Sequence, residues 1–183
     1  MSLLAIDRED PRIKNREEKW SDEVTSQLPT LLTRLLRSEL YGLGEGRDLP
    51  PPATRYGVYL LSERGRARYV GRVGLTERSR RSGKGFSNFR TRLQAHVRPR
   101  HSEGTYAYSR TVKHFRRKGL PLAETRKANC EDATFQEEFR RQCNLVRRMD
   151  FQIVEITDNR LAAVFEIYAA AALGLRDQTF AVS

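Results

Sequence analysis

Alternation of apolar side chains over Tyr56-Gly57-Val58-Tyr59-Leu60-Leu61 predicts a β-strand, with Tyr56, Val58 and Leu60 on one face and Gly57, Tyr59 and Leu61 on the other. Tyr69-Val70-Gly71-Arg72-Val73 predicts a second strand, and the polar, Gly-containing Ser62-Glu63-Arg64-Gly65-Arg66 fits a hairpin loop between them. Two tyrosines, Tyr59 and Tyr69, are thereby brought side by side. Asp150 to Ile156 reads as a third strand, followed by Thr157-Asp158 as a helix N-cap and a helix from Leu161 to Leu173. Near the N-terminus, Leu28, Leu31, Leu32, Leu35, Leu36 and Leu40 recur at helical spacing after Ser21-Asp22-Glu23. This predicts an amphipathic helix with Pro29 tolerable only near the first turn of a second segment. Gly42-Leu43-Gly44-Glu45-Gly46 should end it, and Leu49-Pro50-Pro51-Pro52 should run extended into the first strand. Two more helices are expected before the third strand. Tyr106 to Lys118 stops at Gly119-Leu120-Pro121, and a second opens on the capping-box pattern Thr134-Phe135-Gln136-Glu137 and carries Phe135, Phe139, Cys143 and Val146 at helical spacing.

With 183 residues and 38% hydrophobic content the chain can bury one core, and it has no linker long enough to separate two. Met1-Ser2-Leu3-Leu4-Ala5-Ile6 is too short and lacks the basic start of a signal peptide. No run of about 18 apolar residues exists to span a bilayer, so a cytoplasmic protein without membrane attachment is expected. Cys130 and Cys143 have neither C-x-x-C spacing nor the density of a secreted scaffold, which favours reduced thiols.

The net charge of +11 is concentrated. Residues 51–120 hold 18 Lys/Arg against 3 Asp/Glu, whereas the segments on either side each hold 8 against 10. A field of one sign attracts a polyanion and releases its counterions on binding, so nucleic acid is the expected partner. An RNA-coating role or an anionic membrane surface would also use a basic patch, but neither accounts for Glu166 within an apolar helix. Within the basic stretch, Arg72, Arg78, Arg80, Arg81 and Lys84 lie on or after the second strand, and Arg110, Lys113, Arg116 and Arg117 on the helix after residue 105. All are candidate phosphate contacts. Gly83-Lys84 is not a Walker loop, because Gly85 stands where Ser or Thr is required. Gly42 to Gly46 is a helix stop rather than a phosphate loop, because proline follows it.

Gly57-Val58-Tyr59 and Tyr69-Val70-Gly71 stand ten residues apart, tyrosine to tyrosine. In that arrangement the chain resembles the GIY-YIG endonuclease family, metal-dependent phosphodiesterases with a small α/β module, with Val replacing Ile in both triplets. Two later marks are present in order. Ser87 to His96 looks like the family's first helix, with Arg92 matching its arginine, and Glu166 matches the glutamate on the helix after the third strand. The Pro-rich leader and His96, one turn beyond Arg92, resemble restriction-type members. The resemblance implies a three-stranded mixed or antiparallel sheet flanked by helices, in one domain. Its parts are an N-terminal helical extension and connector over 1–52, the hairpin and first helix over 53–97, a helical insertion over 98–149, and the third strand and Glu-bearing helix over 150–183.

Phosphodiester hydrolysis needs an in-line nucleophile, neutralised charge on the phosphorus and help for the departing 3′ oxygen. At three and four positions from Glu166 stand Ala162, Ala163, Ala169 and Ala170, so its carboxylate leaves an apolar surface and needs compensation. Either one divalent cation, Mg2+ or Mn2+, or a paired arginine would supply it. Arg92 and His96 share a helix face bordering the stripe Phe89, Leu93 and Val97. Arg92 suits bidentate donation to phosphate, and His96 either holds a tyrosine or water in place or makes only local bonds. Arg90, on another face, is a backbone-phosphate candidate. Tyr59 is the expected general base, provided that Arg72, Arg92 and a metal pull its pKa well down from about 10. Tyr69 should orient water or phosphate. Where many relatives place an asparagine about twelve residues beyond the glutamate, this chain has Gln178.

Taken together, these residues lead to the expectation of a metal-dependent DNA endonuclease acting on duplex DNA, of restriction type. The alternatives are a structure-specific repair or recombination nuclease and a weakened relative that only binds nucleic acid. Symmetric double-strand cutting would favour a homodimer, with the Leu28 to Leu40 helix as the contact.

Overall fold

The computed structural model describes residues 11–43, 56–74 and 89–175, with the backbone alone over 11–18. In chain order the described elements are α1 (Pro11–Arg37), β1 (Tyr41–Gly42), β2 (Gly57–Glu63), β3 (Arg66–Val73), α2 (Phe89–His96), α3 (Thr105–Lys118), α4 (Arg126–Glu131), α5 (Ala133–Arg147), β4 (Asp150–Glu155) and α6 (Asn159–Ala172). The strands form one antiparallel sheet in the order β1-β4-β2-β3. It has four strands rather than three. Tyr41–Gly42, expected at the helix stop, instead pairs with Phe151 and Asp150 at the far side of β4, with the Tyr41 ring against Phe151.

The period-two pattern sorts side chains onto two cores. Val58, Leu60, Val70 and Val154 meet Val24, Leu28, Leu31 and Leu35 of α1 and Leu161, Phe165 and Ala169 of α6 on one face. Tyr59, Leu61, Tyr69, Val73 and Phe151 meet Phe89, Leu93, Phe115, Phe135, Phe139 and Val146 on the other. The result is three layers with the sheet in the middle and both of its faces covered, which is why β2 is buried at six successive positions. The α/β class expected from sequence holds. Leu28, Leu31 and Leu35 are spent on the core rather than left free for the expected dimer contact, whereas Leu36 and Leu40 are exposed, Leu40 past the helix end.

Four boundaries differ from the sequence-based expectation. The first helix is continuous from Pro11 and carries Pro29 in its interior. Pro29 is solvent-exposed, so its ring projects away from the core, while Val24, Leu28 and Leu31 on the buried face outweigh the lost backbone bond. The hairpin loop is shorter. Arg64 and Gly65 alone form the turn, both at positive φ (52° and 72°), and this two-residue turn lets the strands run on to Glu63 and from Arg66. A short helix, α4, precedes α5. The α5 N-cap is Asp132, whose side chain accepts from Phe135 N at 2.7 Å, rather than a residue of the Thr134 capping box. In contrast, the cap of α6 is Asp158, as expected.

Gln152, buried in β4, shows how the layers are tied. Its Nε2 donates to Leu36 O and Ser38 O, both at 2.9 Å, and so satisfies carbonyls at the C-terminal end of α1. Replacing the exposed Pro29 with alanine restores a backbone donor in mid-helix. Pro29→Ala is expected to raise the free energy of urea unfolding by about 1–3 kcal/mol, and an unchanged or lower midpoint would count against an unbroken α1.

Candidate active site

Both triplet glycines answer to packing. Gly57 has φ +146°, and a Cβ there would lie 2.1 Å from Val154 O of the adjoining strand. Gly71 lies opposite Tyr59 in the β2–β3 register, and a Cβ on it would stand 2.2 Å from the Tyr59 hydroxyl oxygen and 2.8 Å from Tyr69 Cε1. The Tyr59 ring therefore lies across the β3 backbone, where only glycine leaves room, and carries its hydroxyl towards the sheet edge.

Around that hydroxyl the expected residues come together. Tyr59 Oη and His96 Nε2 are 2.6 Å apart. The Tyr59 and Tyr69 rings have centroids 6.2 Å apart, and Tyr69 and His96 5.3 Å. α2 delivers His96 because Phe89, Leu93 and His96 share its buried face. Arg92, one turn earlier, lies close enough to both tyrosines to favour their ionised forms, and it acts on Glu166 in the same sense. Glu166 comes from α6 in the layer on the opposite face, its carboxylate 17% exposed.

Electrostatics revise one expectation and bear on a second. Tyr59 was expected to be an acidified phenol, but its side chain is wholly buried and desolvation drives its pKa well above 10 despite Arg92, so it stands as the neutral phenol. Burial raises Tyr69 as well. His96, 2% exposed and beside Arg92, is pushed down to about 3 and is neutral. With a neutral phenol facing a neutral imidazole, the more acidic O–H is assigned as donor and Nε2 as acceptor, which puts the ring hydrogen on Nδ1. His96 thus holds a tyrosine, one of the two roles weighed for it. His96 Nδ1 and Arg92 Nε are both buried without a hydrogen-bond partner.

At Glu166 the paired-arginine alternative is the one present. Burial raises its pKa while Arg72 and Arg92 lower it. Its compensating charge is Arg72, placed among the phosphate contacts by the sequence, whose Nε reaches Glu166 Oε2 at 3.3 Å while Nη1 reaches Asn159 Oδ1 at 3.3 Å. Asn159 was not anticipated. It is the first residue of α6, where a helix start explains it fully, and no signal in the sequence separated it from that role. No group of three or more His, Cys, Asp or Glu side chains capable of holding a metal gathers among the described residues. The donor set at Glu166, one partly exposed carboxylate, fits a hard and mostly hydrated cation such as Mg2+ or Mn2+, whose remaining ligands are water and phosphate oxygens.

From Tyr69 an open groove of about 880 Å³ runs along α3, lined by Arg68, Tyr106, Arg110, Lys113, Arg116 and Arg117 among others. The groove brings the four expected α3 cations alongside Tyr69 and has no acidic residue among the described residues of its lining. Arg110 is braced there by Gln142 Oε1 at 2.6 Å and lies over the Tyr106 ring, while Arg116 and Arg117 are exposed. Arg68 was not among the expected contacts, being one of several cations in a polar hairpin. Arg90 is exposed on α2, on a different face from buried His96. Arg78, Arg80, Arg81, Lys84 and Gln178 lie outside the described residues.

Comparison of the chain with protein-family models, with curated proteins and with solved structures finds no match. Among the described residues no helix is long and apolar enough to cross a membrane.

Two outcomes test this geometry. Gly71→Ala drives a methyl group into the Tyr59 hydroxyl. It is expected to lower stability by about 2–4 kcal/mol or to displace Tyr59, either of which denaturation or the tyrosine absorbance would register. For His96, a folded pKa near 3 against an ordinary 6.5 means that the unfolded chain binds the proton more readily. Its stabilising contribution is therefore full above pH 6.5 and is lost as pH falls from 6.5 towards 3, at up to roughly 1.4 kcal/mol per pH unit. His96→Phe should flatten the pH dependence of unfolding free energy between pH 6.5 and 4.5 relative to the unaltered chain, and parallel curves would contradict a buried neutral imidazole.

Proposed function

We propose that the chain is a divalent-metal-dependent DNA endonuclease of the GIY-YIG kind that hydrolyses phosphodiester bonds in duplex DNA, with restriction-type cleavage as its setting. The observation that carries this reading is the meeting of Tyr59, Tyr69, Arg92 and His96 at one edge of the sheet, within the electrostatic reach of Glu166 and beside a groove lined by cations. Residues from three separate stretches of the chain share that spot, with two unpartnered buried donors among them.

In this reading the groove draws in the DNA backbone and leaves a phosphate beside Tyr69 and Arg92. Arg92 donates to the phosphate oxygens and stabilises the charge that develops on them in the transition state. Tyr59 works as a phenol. Its O–H bond points to His96 Nε2, which leaves its oxygen able to accept from the attacking water. As the water oxygen bonds to phosphorus, its proton passes to the Tyr59 oxygen while the Tyr59 proton passes to His96 Nε2. The bond from phosphorus to the 3′ oxygen breaks, and solvent protonates the departing oxygen. A free phenolate, costly in this apolar setting, is never required. Negative charge gathering on the phosphate offsets the imidazolium, which Arg92 and burial otherwise disfavour. Glu166 would hold the cation, which when bound supplies charge neutralisation at the phosphate.

Digestion of a plasmid panel with Mg2+ or Mn2+, together with branched and single-stranded substrates, tests the proposal. Expected are discrete duplex fragments, a loss of about 10²-fold or more in cleavage rate for Glu166→Gln and for Tyr59→Phe, and DNA retention by both variants in a mobility-shift assay. Cutting confined to junctions would move the role to repair or recombination. Binding without cutting by the unaltered chain, or equal cutting by Glu166→Gln, would sink the nuclease reading.

A further inference from the structure

Glu166 faces two claims on one carboxylate. The nuclease reading needs it for a cation, yet the fold sets the Arg72 guanidinium on its Oε2 at 3.3 Å. A dication on the same group would bring two positive charges to one partly buried anion, and their repulsion is only weakly screened away from bulk water. The two therefore compete for the group. Asn159 marks where Arg72 goes, because its Oδ1 holds the guanidinium through Nη1, a contact independent of Glu166. Arg72 is also fixed at its base. It follows Gly71 on β3 and pairs with Val58 across the hairpin, so releasing Glu166 swings only the guanidinium end. The planar guanidinium has donors enough to keep Asn159 and take a phosphate oxygen.

We propose that Arg72 is a positioning residue that keeps the Glu166 carboxylate closed in the free protein and yields it when a divalent cation and a substrate phosphate arrive together, with Asn159 retaining the guanidinium at the site. Cation and phosphate then bind cooperatively. The cation displaces Arg72, the displaced guanidinium gains the phosphate, and each ligand strengthens the other by the same factor. The free protein accordingly has little affinity for the cation alone. This inference rests on the nuclease reading but concerns a different property, the order in which the site fills.

The test is Mn2+ binding to the full chain without DNA, followed by the loss of the free-ion electron paramagnetic resonance signal. Arg72→Gln, with Arg72→Met as a second uncharged variant and thermal melting to confirm folding, is expected to bind Mn2+ at least tenfold more tightly than the unaltered chain. Arg72→Lys keeps a cation beside Glu166 and should stay as weak as the unaltered chain, an outcome that a packing role for Arg72 does not give. Adding duplex DNA to a Tyr59→Phe chain should tighten Mn2+ binding, and Asn159→Ala in that background should diminish the gain. Affinity in Arg72→Gln and Arg72→Met equal to or below that of the unaltered chain would overturn the inference and leave the nuclease reading standing. If Glu166→Gln combined with Arg72→Gln still bound Mn2+ as tightly as Arg72→Gln alone, the cation would sit elsewhere, and the metal assignment beneath both proposals would fall.

Discussion

The passage of the Tyr59 ring over Gly71 is the constraint on which the site depends. A tyrosine on the inner strand β2 would ordinarily bury its hydroxyl between sheet and helices. Because its β3 neighbour lacks a side chain, the ring can lie across that strand instead, which carries the still-buried hydroxyl towards the edge of the sheet. There it finds His96 on α2 and, from the layer across the sheet, the field of Glu166 on α6. One missing methyl group thus connects the two layers at a single spot.

That spot balances charge tightly. Tyr59 and His96 are neutral because burial disfavours ionisation of either, and their short hydrogen bond satisfies one polar atom on each. Arg92 raises the cost of charging His96 and lowers that of charging the tyrosines and Glu166, while Arg72 compensates Glu166 directly. What stays unsatisfied is Arg92 Nε and His96 Nδ1, two donors without an acceptor. A free protein that keeps buried donors unmatched gives up some stability. Beside it the groove from Tyr69 carries Arg68, itself paired with Glu63 at 3.0 Å, and the α3 cations, with no acidic side chain among the described residues of its lining.

Much of the architecture was legible in the sequence because its elements carry their own period. The Tyr56 to Leu61 alternation, the Asp158 cap ahead of α6 and the Gly119 stop after α3 all reflect local rules of side-chain direction and backbone conformation, and the structure follows them. The misread boundaries had non-local causes. Pro29 could stay inside α1 because the helix has a long apolar face to bury, and no window around the proline reveals that compensation. Tyr41–Gly42 became a strand through pairing with β4, more than 100 residues away, although two residues carry no period. Asp132 rather than Thr134 caps α5 because α4 ends directly before it, and neither residue's type decides between them.

The sequence by itself determined which residue types were available for chemistry, which faces of strands and helices they occupied, and that positive charge gathers between residues 51 and 120, because these follow from composition and from periods of two and 3.6. Only the tertiary structure decided how those groups share their charges: that Tyr59 is a buried phenol bound to His96, that Arg72 holds Glu166, and that Asn159 stands beside them. The physical reason is range. Periodicity is set within a few residues, whereas desolvation and ion pairing depend on what packs nearby in space, and here the partners are 37, 94 and 87 positions apart in the chain.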